Sequence, residues 1–291
     1  MTFMIKRKLG HYEIISRLSA GGFCPVRFLA VIAISFASAL VATAQNNLSP
    51  SEQTQIIEKA REVALGYTAN LPNFICTETI RRSQLPKRSQ TGTLLDTIAV
   101  DVAFSDQGER YNLLTINGNP TKKSFKEIGA AKYDSEFGTM LQWIFRPESQ
   151  TKFHWERSEE LRGRPTLVFS YRIEKGHSKF VINSNKRYFI LITTPVHIIA
   201  AFEGLVYVDR ETNRVLKITA VPSGIPANWL ITAASEELDY GFAEISGQKF
   251  FLPLHAQLNV TLQDGSQTRN EMEFGNYRKF SSEATLQFEP Q

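Results

Sequence analysis

Three segments of this chain alternate between large apolar residues and smaller or polar ones, and this period of two restricts the possible folds more than any other feature. Such alternation is typical of a strand with one buried face and one face in water, so it favours an antiparallel sheet over a parallel one. Asp264-Gly265, directly after the third segment, predicts a hairpin turn and a return strand over residues 268–274. The apolar positions are Ile98, Val100, Val102 and Phe104; Leu167, Phe169, Tyr171 and Ile173; and Leu254, Ala256, Leu258, Val260 and Leu262.

Ahead of these strands, the sequence predicts an amphipathic helix. Ser49-Pro50-Ser51-Glu52 supplies an N-cap serine, a proline suited to the first helical position, and a glutamate that completes a capping box. Asn70-Leu71-Pro72-Asn73 ends the segment. The apolar residues that fall on one helical face are Ile56, Ala60, Val63, Ala64 and Tyr67.

A second, shorter helix is predicted between Ser135 and Phe145, because the apolar spacing there changes to three or four residues. Arg146-Pro147 stops the segment. We expect this helix to lie in or near the concave side of the sheet. Its apolar positions are Phe137, Met140, Leu141, Ile144 and Phe145.

Residues 45–291 contain no internal repeat, no low-complexity tract and no clear linker, so we interpret them as one domain. One helix followed by many strands predicts an α+β protein that is mainly β. Its curved antiparallel sheet packs on the N-terminal helix, and the second short helix accompanies it. Cys76 is the one cysteine of this part, so packing rather than an internal disulfide must stabilise it.

Residues 28–44 read FLAVIAISFASALVATA and contain no charge. The run follows Arg27 and ends in Ala42-Thr43-Ala44, the small-x-small pattern of a signal peptide that is cleaved before Gln45. We therefore expect a protein that is exported to the periplasm or beyond. The alternative is an uncleaved segment that anchors the chain to the inner membrane. Outside this segment we expect no contact with a membrane, because no second apolar run is long enough to span one.

Residues 9–26 read LGHYEIISRLSAGGFCPV and resemble the opening of a bacterial serine/threonine protein kinase domain, with its G-x-G-x-x-G-x-V loop. On that pattern Gly21 and Val26 match, whereas Ser19 and Cys24 stand where two glycines belong. The lysine and the aspartates of a kinase do not follow. We interpret residues 1–27 as a relic or a start codon placed too early, not as a folded domain. On the second interpretation, translation begins at Val26.

The basic charge of the chain belongs to its first 44 residues. They contain five basic residues and one acidic residue, so the formal net charge of +4 leaves 28 of each sign in residues 45–291. A balanced chain without a basic patch does not indicate a nucleic-acid partner.

The run from Gly204 to Ile218, GLVYVDRETNRVLKI, resembles a hairpin of the lipoprotein-carrier (LolA/LolB-like) superfamily. That resemblance implies a half-barrel: a helix and a strongly curved antiparallel sheet around an apolar cavity. Asp239-Tyr240-Gly241-Phe242 and Leu252-Pro253 are similar to later strands of the same superfamily. A wider pattern, Leu71–Cys76, Glu136-Phe137-Gly138 and the hairpin, resembles a family of exported acidobacterial proteins that has no assigned activity.

Residues 45–291 contain no sequence signature of a serine hydrolase elbow, a phosphate-binding loop or a dinucleotide site, so we expect no cofactor. The four histidines of this part are not spaced as a metal site. His154 and Glu156 would share one face of a regular strand, which leaves a hydrolase, or a metal site, as an alternative. The prediction is a protein that is not an enzyme.

Aromatic residues cluster around the second helix and the strand after it, which is typical of an apolar core or of a cavity for a small ligand. The sequence therefore predicts an exported cell-envelope protein that binds a lipid or another apolar small molecule in the concavity of the sheet. A structural or protein-interaction module without a cavity is the alternative. The residues predicted to contact the ligand are Trp143, Phe145, Phe169, Tyr171, Leu258 and Val260.

Overall fold

The computed structural model of this 291-residue chain describes residues 4–9, 12–17, 48–87, 91–105, 108–123, 128, 137–183 and 197–279. The chain divides into two units, Met1–Ala44 and Gln45–Gln291. In the first unit, β1 (Met4–Leu9) and β2 (Tyr12–Arg17) form an antiparallel hairpin. The predicted signal segment, residues 28–44, and its predicted cleavage residues Ala42, Ala44 and Gln45 lie outside the described residues. Among the described helices, none is both long and apolar enough to cross a membrane.

The second unit is built on one antiparallel sheet of eleven strands, and this confirms the predicted mainly-β, curved-sheet class with two α-helices. The spatial order is β6-β5-β4-β3-β15-β14-β13-β12-β11-β8-β7, so the first and last long strands lie side by side in the middle. The strands are β3 (Phe74–Leu85), β4 (Thr93–Ser105), β5 (Gly108–Ile116), β6 (Asn119–Pro120), β7 (Lys152–Leu161), β8 (Arg164–Ile173), β11 (Ala201–Asp209), β12 (Val215–Ser223), β13 (Ile231–Ile245), β14 (Gln248–Leu262) and β15 (Gln267–Lys279). A separate two-stranded ladder joins β9 (Val181–Asn183) and β10 (His197–Ile199).

The first helix, α1 (Pro50–Leu65), begins as the sequence predicts. The backbone N–H of Glu52 donates to the Ser49 hydroxyl at 3.3 Å, and the backbone N–H of Ser49 donates to the Glu52 carboxylate at 2.8 Å, which completes the capping box. The buried face is turned slightly from the predicted one, because Ile57, Ala60 and Ala64 are buried whereas Ile56 and Val63 are half-buried.

The second helix, α2 (Thr139–Phe145), begins four residues later than predicted, after Gly138. Gly138 has a φ of +111°, and a Cβ there would lie 2.6 Å from the Thr68 side chain, so glycine suits this junction on both grounds. The side-chain amide of Gln142 donates to the Leu65 carbonyl at 3.2 Å and ties α2 to the end of α1. The apolar side of α2 joins the same core as the sheet; its buried residues are Met140, Leu141, Ile144 and Phe145.

All the predicted apolar positions of β4 and β8 are buried, whereas of the five on β14 only Ala256 and Leu258 are buried. The opposite faces of β4 and β8 are not wet throughout, because Asp101, Ala103 and Val168 are buried as well. On β14, Asp239 pairs with His255 and Tyr240 pairs with Pro253, which leaves Leu254 as the extra residue of a β-bulge. Leu252 is fully buried, whereas Leu254 is half-buried. The prediction that Leu254 shares the face of Ala256 and Leu258 is therefore wrong, because a bulge shifts the alternation by one residue.

Gly204 explains one part of the hairpin that resembles the carrier superfamily. A Cβ at this position would lie 1.8 Å from the carbonyl oxygen of Thr219 on the neighbouring strand. That same carbonyl accepts a hydrogen bond from the Tyr171 hydroxyl at 2.9 Å, and the Thr219 hydroxyl accepts from the N–H of Leu205 at 2.9 Å. The close approach of two backbones thus requires glycine here.

Candidate functional site

The ladder between β12 and β13 ends early, and a cleft opens where it ends. The two strands pair from Ala220 opposite Glu236 to Lys217 opposite Asp239. Beyond Asp239, β13 runs on to Ile245 paired with β14, while β12 leads into the turn that joins it to β11. A cavity of ≈ 210 Å³ lies at this point, and we call it the β12–β13 cleft. Its walls are formed by Arg162, Arg164, Thr212, Arg214, Leu216, Tyr240, Gly241, Phe242, Phe251 and Leu254.

Arg162 holds the open end of this ladder in place. It occupies the two-residue turn between β7 and β8 with a φ of +52°, followed by Gly163 at +75°. Its guanidinium donates to the carbonyls of Leu216 at 2.9 Å and Tyr240 at 3.0 Å, and lies 3.1 Å from the Asp239 carboxylate. These bonds satisfy two backbone acceptors where the strands separate, so Arg162 is part of the cleft's frame.

Asp209 organises the turn on the other side of the cleft. Its carboxylate exposes 1% of its surface and accepts hydrogen bonds from the N–H of Glu211 at 2.9 Å and of Thr212 at 2.8 Å. The Thr212 hydroxyl donates to the same oxygen at 3.0 Å, and the guanidinium of Arg164 donates to the second oxygen. Burial alone would raise the pKa of Asp209, but these donors outweigh it and hold that pKa below its usual value.

The apolar wall of the cleft consists largely of side chains from the β13–β14 hairpin. The rings of Tyr240 and Phe251 stack at 5.9 Å, and Phe242 meets Phe251 edge-on at 5.5 Å. The bulge brings Leu254 into this wall against Gly241, where a Cβ would lie 2.4 Å from the leucine side chain. Phe242 is 50% exposed, so one large apolar surface of the cleft is in contact with solvent.

Arg214 lies over this aromatic wall. Its guanidinium carbon is 5.2 Å from the centre of the Phe242 ring and 5.5 Å from that of Phe251, within the range of a cation–π contact. Within the described part of the chain, the cleft is lined by three arginines and by no acidic residue. The wall is therefore apolar with a positive margin.

The six residues that the sequence predicts to contact an apolar ligand do not line this cavity. The structure brings all six to one hydrophobic cluster around the sheet and the helices, where they pack against protein. A contact between any of them and a ligand stays a prediction. The buried ones are Phe145, Phe169, Tyr171 and Leu258, and the half-buried ones are Trp143 and Val260.

His154 and Glu156 lie on β7, a strand at the edge of the sheet, and both are exposed. The ladder between β7 and β8 shifts register between Trp155 and Arg157, so Glu156 lies in a bulge rather than on a regular strand. No cluster of three or more His, Cys, Asp or Glu that could hold a metal ion occurs among the described residues. A hydrolytic role for this pair stays a prediction.

Sequence reasoning missed the residues of the β12–β13 cleft because they come from three separate turns and hairpins. Local signals were present: the runs Gly204–Ile218 and Asp239–Phe242, which resemble the carrier superfamily, contain six of the ten cleft residues, and the pair Phe250-Phe251 precedes the clearest strand. In the sequence, Arg162, Arg164 and Arg214 resemble ordinary solvated residues of strands and turns. Their neighbours along the chain do not indicate that the three turns come together.

Comparison with known proteins gives similarity in structure alone. No family model matches the sequence, and neither does any curated protein. A domain described as an outer membrane lipoprotein-sorting protein, from Vibrio parahaemolyticus, is 12% identical over 79% of this chain and 94% of that chain, with a TM-score of 0.39. A LolA superfamily protein from Nitrosomonas europaea is 12% identical over 78% and 93%, with a TM-score of 0.32. A DUF1329 family protein from Desulfovibrio piger is 11% identical over 79% and 94%, with a TM-score of 0.33. Similarity at this level does not assign a ligand or an activity.

Proposed function

We propose that this protein is an exported cell-envelope protein that holds the apolar part of a lipid, or another small apolar molecule, in the β12–β13 cleft without a catalytic step. The observation that carries the proposal is the open cavity of ≈ 210 Å³ beside the half-exposed ring of Phe242. An exposed aromatic ring in an apolar recess is covered favourably by a ligand, because burial removes apolar surface from water at about 25 cal/mol per Å².

The size of the cavity limits what it can hold. At roughly 30 Å³ per water-sized group, it takes about seven such groups, which corresponds to a short alkyl chain or the end of a longer one. Each buried methylene contributes about 0.8 kcal/mol, and association itself costs several kcal/mol. We therefore expect weak binding, with dissociation constants in the millimolar to tens-of-millimolar range for a free eight-carbon ligand.

Replacing Phe242 by alanine tests the proposal directly. Phe242→Ala is expected to weaken the binding of 1-octanol about fivefold, because the ligand no longer covers the exposed half of the ring. Leu95→Ala is the matched control, since Leu95 is 53% exposed and lies outside the cleft. Affinities are measured by displacement of an apolar fluorophore. Wild-type protein that binds no octanol would contradict the proposal and favour the interaction module without a cavity.

Export is tested separately, by the mass of the protein isolated from the envelope fraction. We expect a chain that begins at Gln45, because the apolar leader ends in the small-x-small pattern at Ala42-Thr43-Ala44. An intact leader in the membrane fraction would indicate the anchored alternative. An intact chain in the soluble cytosolic fraction would contradict export. Native mass spectra of the same sample report any lipid that remains bound.

A further inference from the structure

We propose that the β12–β13 cleft selects single-chain amphiphiles with an anionic head group, and that Arg214 binds the head. This inference rests on the proposed function, because it places the apolar tail of the ligand against the same aromatic wall. It adds the chemical class of the ligand and the residue that recognises its head.

The charged side chains that line the cavity are all positive. Three of the ten residues in its wall are arginines, and within the described part of the chain no carboxylate lines it. Arg162 and Arg164 are paired with the carboxylates of Asp239 and Asp209, so the positive charge that can attract a ligand is that of Arg214. A cavity with apolar surfaces and one such cation attracts an anion and disfavours a cation, and the low dielectric of the apolar wall strengthens both effects.

The three arginines differ in the contacts that their guanidinium groups already make. Arg162 donates hydrogen bonds to two backbone carbonyls and forms an ion pair with Asp239. The Arg164 guanidinium donates a hydrogen bond to the Asp209 carboxylate, and one of its nitrogens lies 3.7 Å from a carboxylate oxygen of Glu211. In the described part of the chain, Arg214 contacts two aromatic rings and makes no hydrogen bond or ion pair with a carboxylate.

The position of Arg214 suits an anionic head group. A guanidinium that is attracted to the faces of aromatic rings uses none of its five N–H donors in that contact, so Arg214 keeps them for a ligand. A carboxylate or phosphate accepts two parallel N–H bonds from such a group. Because the same two rings, Phe242 and Phe251, also form the wall, an anionic head at Arg214 leaves the tail directly beside the cavity.

The test compares eight-carbon ligands that differ in the head group alone. Near neutral pH and at low salt, wild-type protein is expected to bind octanoate about tenfold more tightly than 1-octanol, and to bind octylamine more weakly than either. Octyl phosphate distinguishes the two sources of such a head, a fatty acid and a phosphate-bearing lipid. The anion that binds more tightly identifies the source.

Arg214→Gln is expected to weaken octanoate binding about tenfold and to weaken it more than octanol binding, so that the ratio of the two affinities falls towards one. Arg214→Lys keeps the positive charge and should retain part of the preference for octanoate. Arg210→Gln is the matched control, because Arg210 is exposed on the same β11–β12 turn and does not line the cleft. A urea denaturation midpoint equal to that of wild type shows that each variant is folded.

The outcomes separate the two proposals. If wild-type protein binds octanol and octanoate equally, or if Arg214→Gln binds octanoate as wild-type does, selection by Arg214 is overturned and the apolar site stands. If neither ligand binds wild-type protein, the proposed function itself fails. A preference for octylamine would overturn the inference about charge.

Discussion

Replacing Asp209 by alanine is expected to destabilise the protein by about 3–5 kcal/mol, because it leaves a set of donors around a nearly inaccessible site without their acceptor. Asp209 accepts from the Thr212 N–H and hydroxyl, from the Glu211 N–H and from the guanidinium of Arg164. The turn between β11 and β12 also frames the β12–β13 cleft, so the loss of stability should be accompanied by weaker ligand binding.

The measurement is urea denaturation of wild-type and variant protein, with thermal melting as a second readout. A loss of this size lowers the melting temperature by about 6–20 °C for a protein of this length. Asp264→Ala is the matched control. Asp264 also caps a hairpin turn, through the Ser266 N–H at 2.9 Å, but it is exposed, and its replacement should cost less than about 1 kcal/mol. Equal losses at the two sites would contradict the role assigned to Asp209.

The sign of the pH dependence at Asp209 follows from its lowered pKa. The folded state binds a proton at this carboxyl less readily than the unfolded state does, so its contribution is complete above the unfolded value of about 3.8. That contribution is lost as the pH falls through the lower folded value. We therefore expect Asp209→Asn to remove part of the acid sensitivity of the wild-type protein below about pH 4.

The parts of the fold that local chemistry controls could be predicted from the sequence. The capping box joins Ser49 and Glu52, which are three positions apart. The hydrogen bond from the Thr212 N–H to Asp209 in the β11–β12 turn also joins residues three positions apart. Ile98, Val100 and Val102 alternate because successive side chains of a strand point to opposite faces, and these three residues are buried as expected. In each case the atoms that decide the structure lie close together along the chain.

The pairing of distant strands could not be predicted in the same way. β3 lies beside β15, although about 190 residues separate their starts, and alternation says which face is buried but not which strand is the neighbour. The bulge at Leu254 has one local signal, the proline at 253 inside a central strand, but the extra residue itself is defined only by pairing with the partner strand. The cleft could not be predicted for the same reasons, because Arg162, Arg214 and Phe242 come together only after β8, β12 and β13 are in register.

Glu78 is the residue for which we expect the largest dependence of stability on pH. It lies in the middle of β3, opposite Val100 on β4 and Phe274 on β15, and exposes 3% of its surface. Burial raises the pKa of Glu78 from 4.5 to about 8, and the nearby carboxylate of Glu109 adds to the rise. Near neutral pH the folded protein therefore keeps this carboxyl largely protonated.

A raised pKa at an acidic group makes the folded state bind more protons than the unfolded state, so stability falls as the pH rises. The fall begins near the unfolded value of 4.5 and ends near the folded value of about 8. At 1.36 kcal/mol per pH unit, the loss across this window is on the order of several kcal/mol. Glu78→Gln carries no charge at any pH, so the variant should be as stable as wild type near pH 4.5 and more stable by about this amount above pH 8.

The experiment measures the free energy of unfolding in urea at several pH values between these limits, for wild type, Glu78→Gln and Glu273→Gln. Glu273 is the matched control because it is exposed on the adjacent strand β15, so its replacement should leave the wild-type pH dependence in place. If wild type and Glu78→Gln change in parallel across the window, Glu78 is ionised in the folded protein. Its burial would then require a cationic partner, which would place a charge pair inside the core of the sheet.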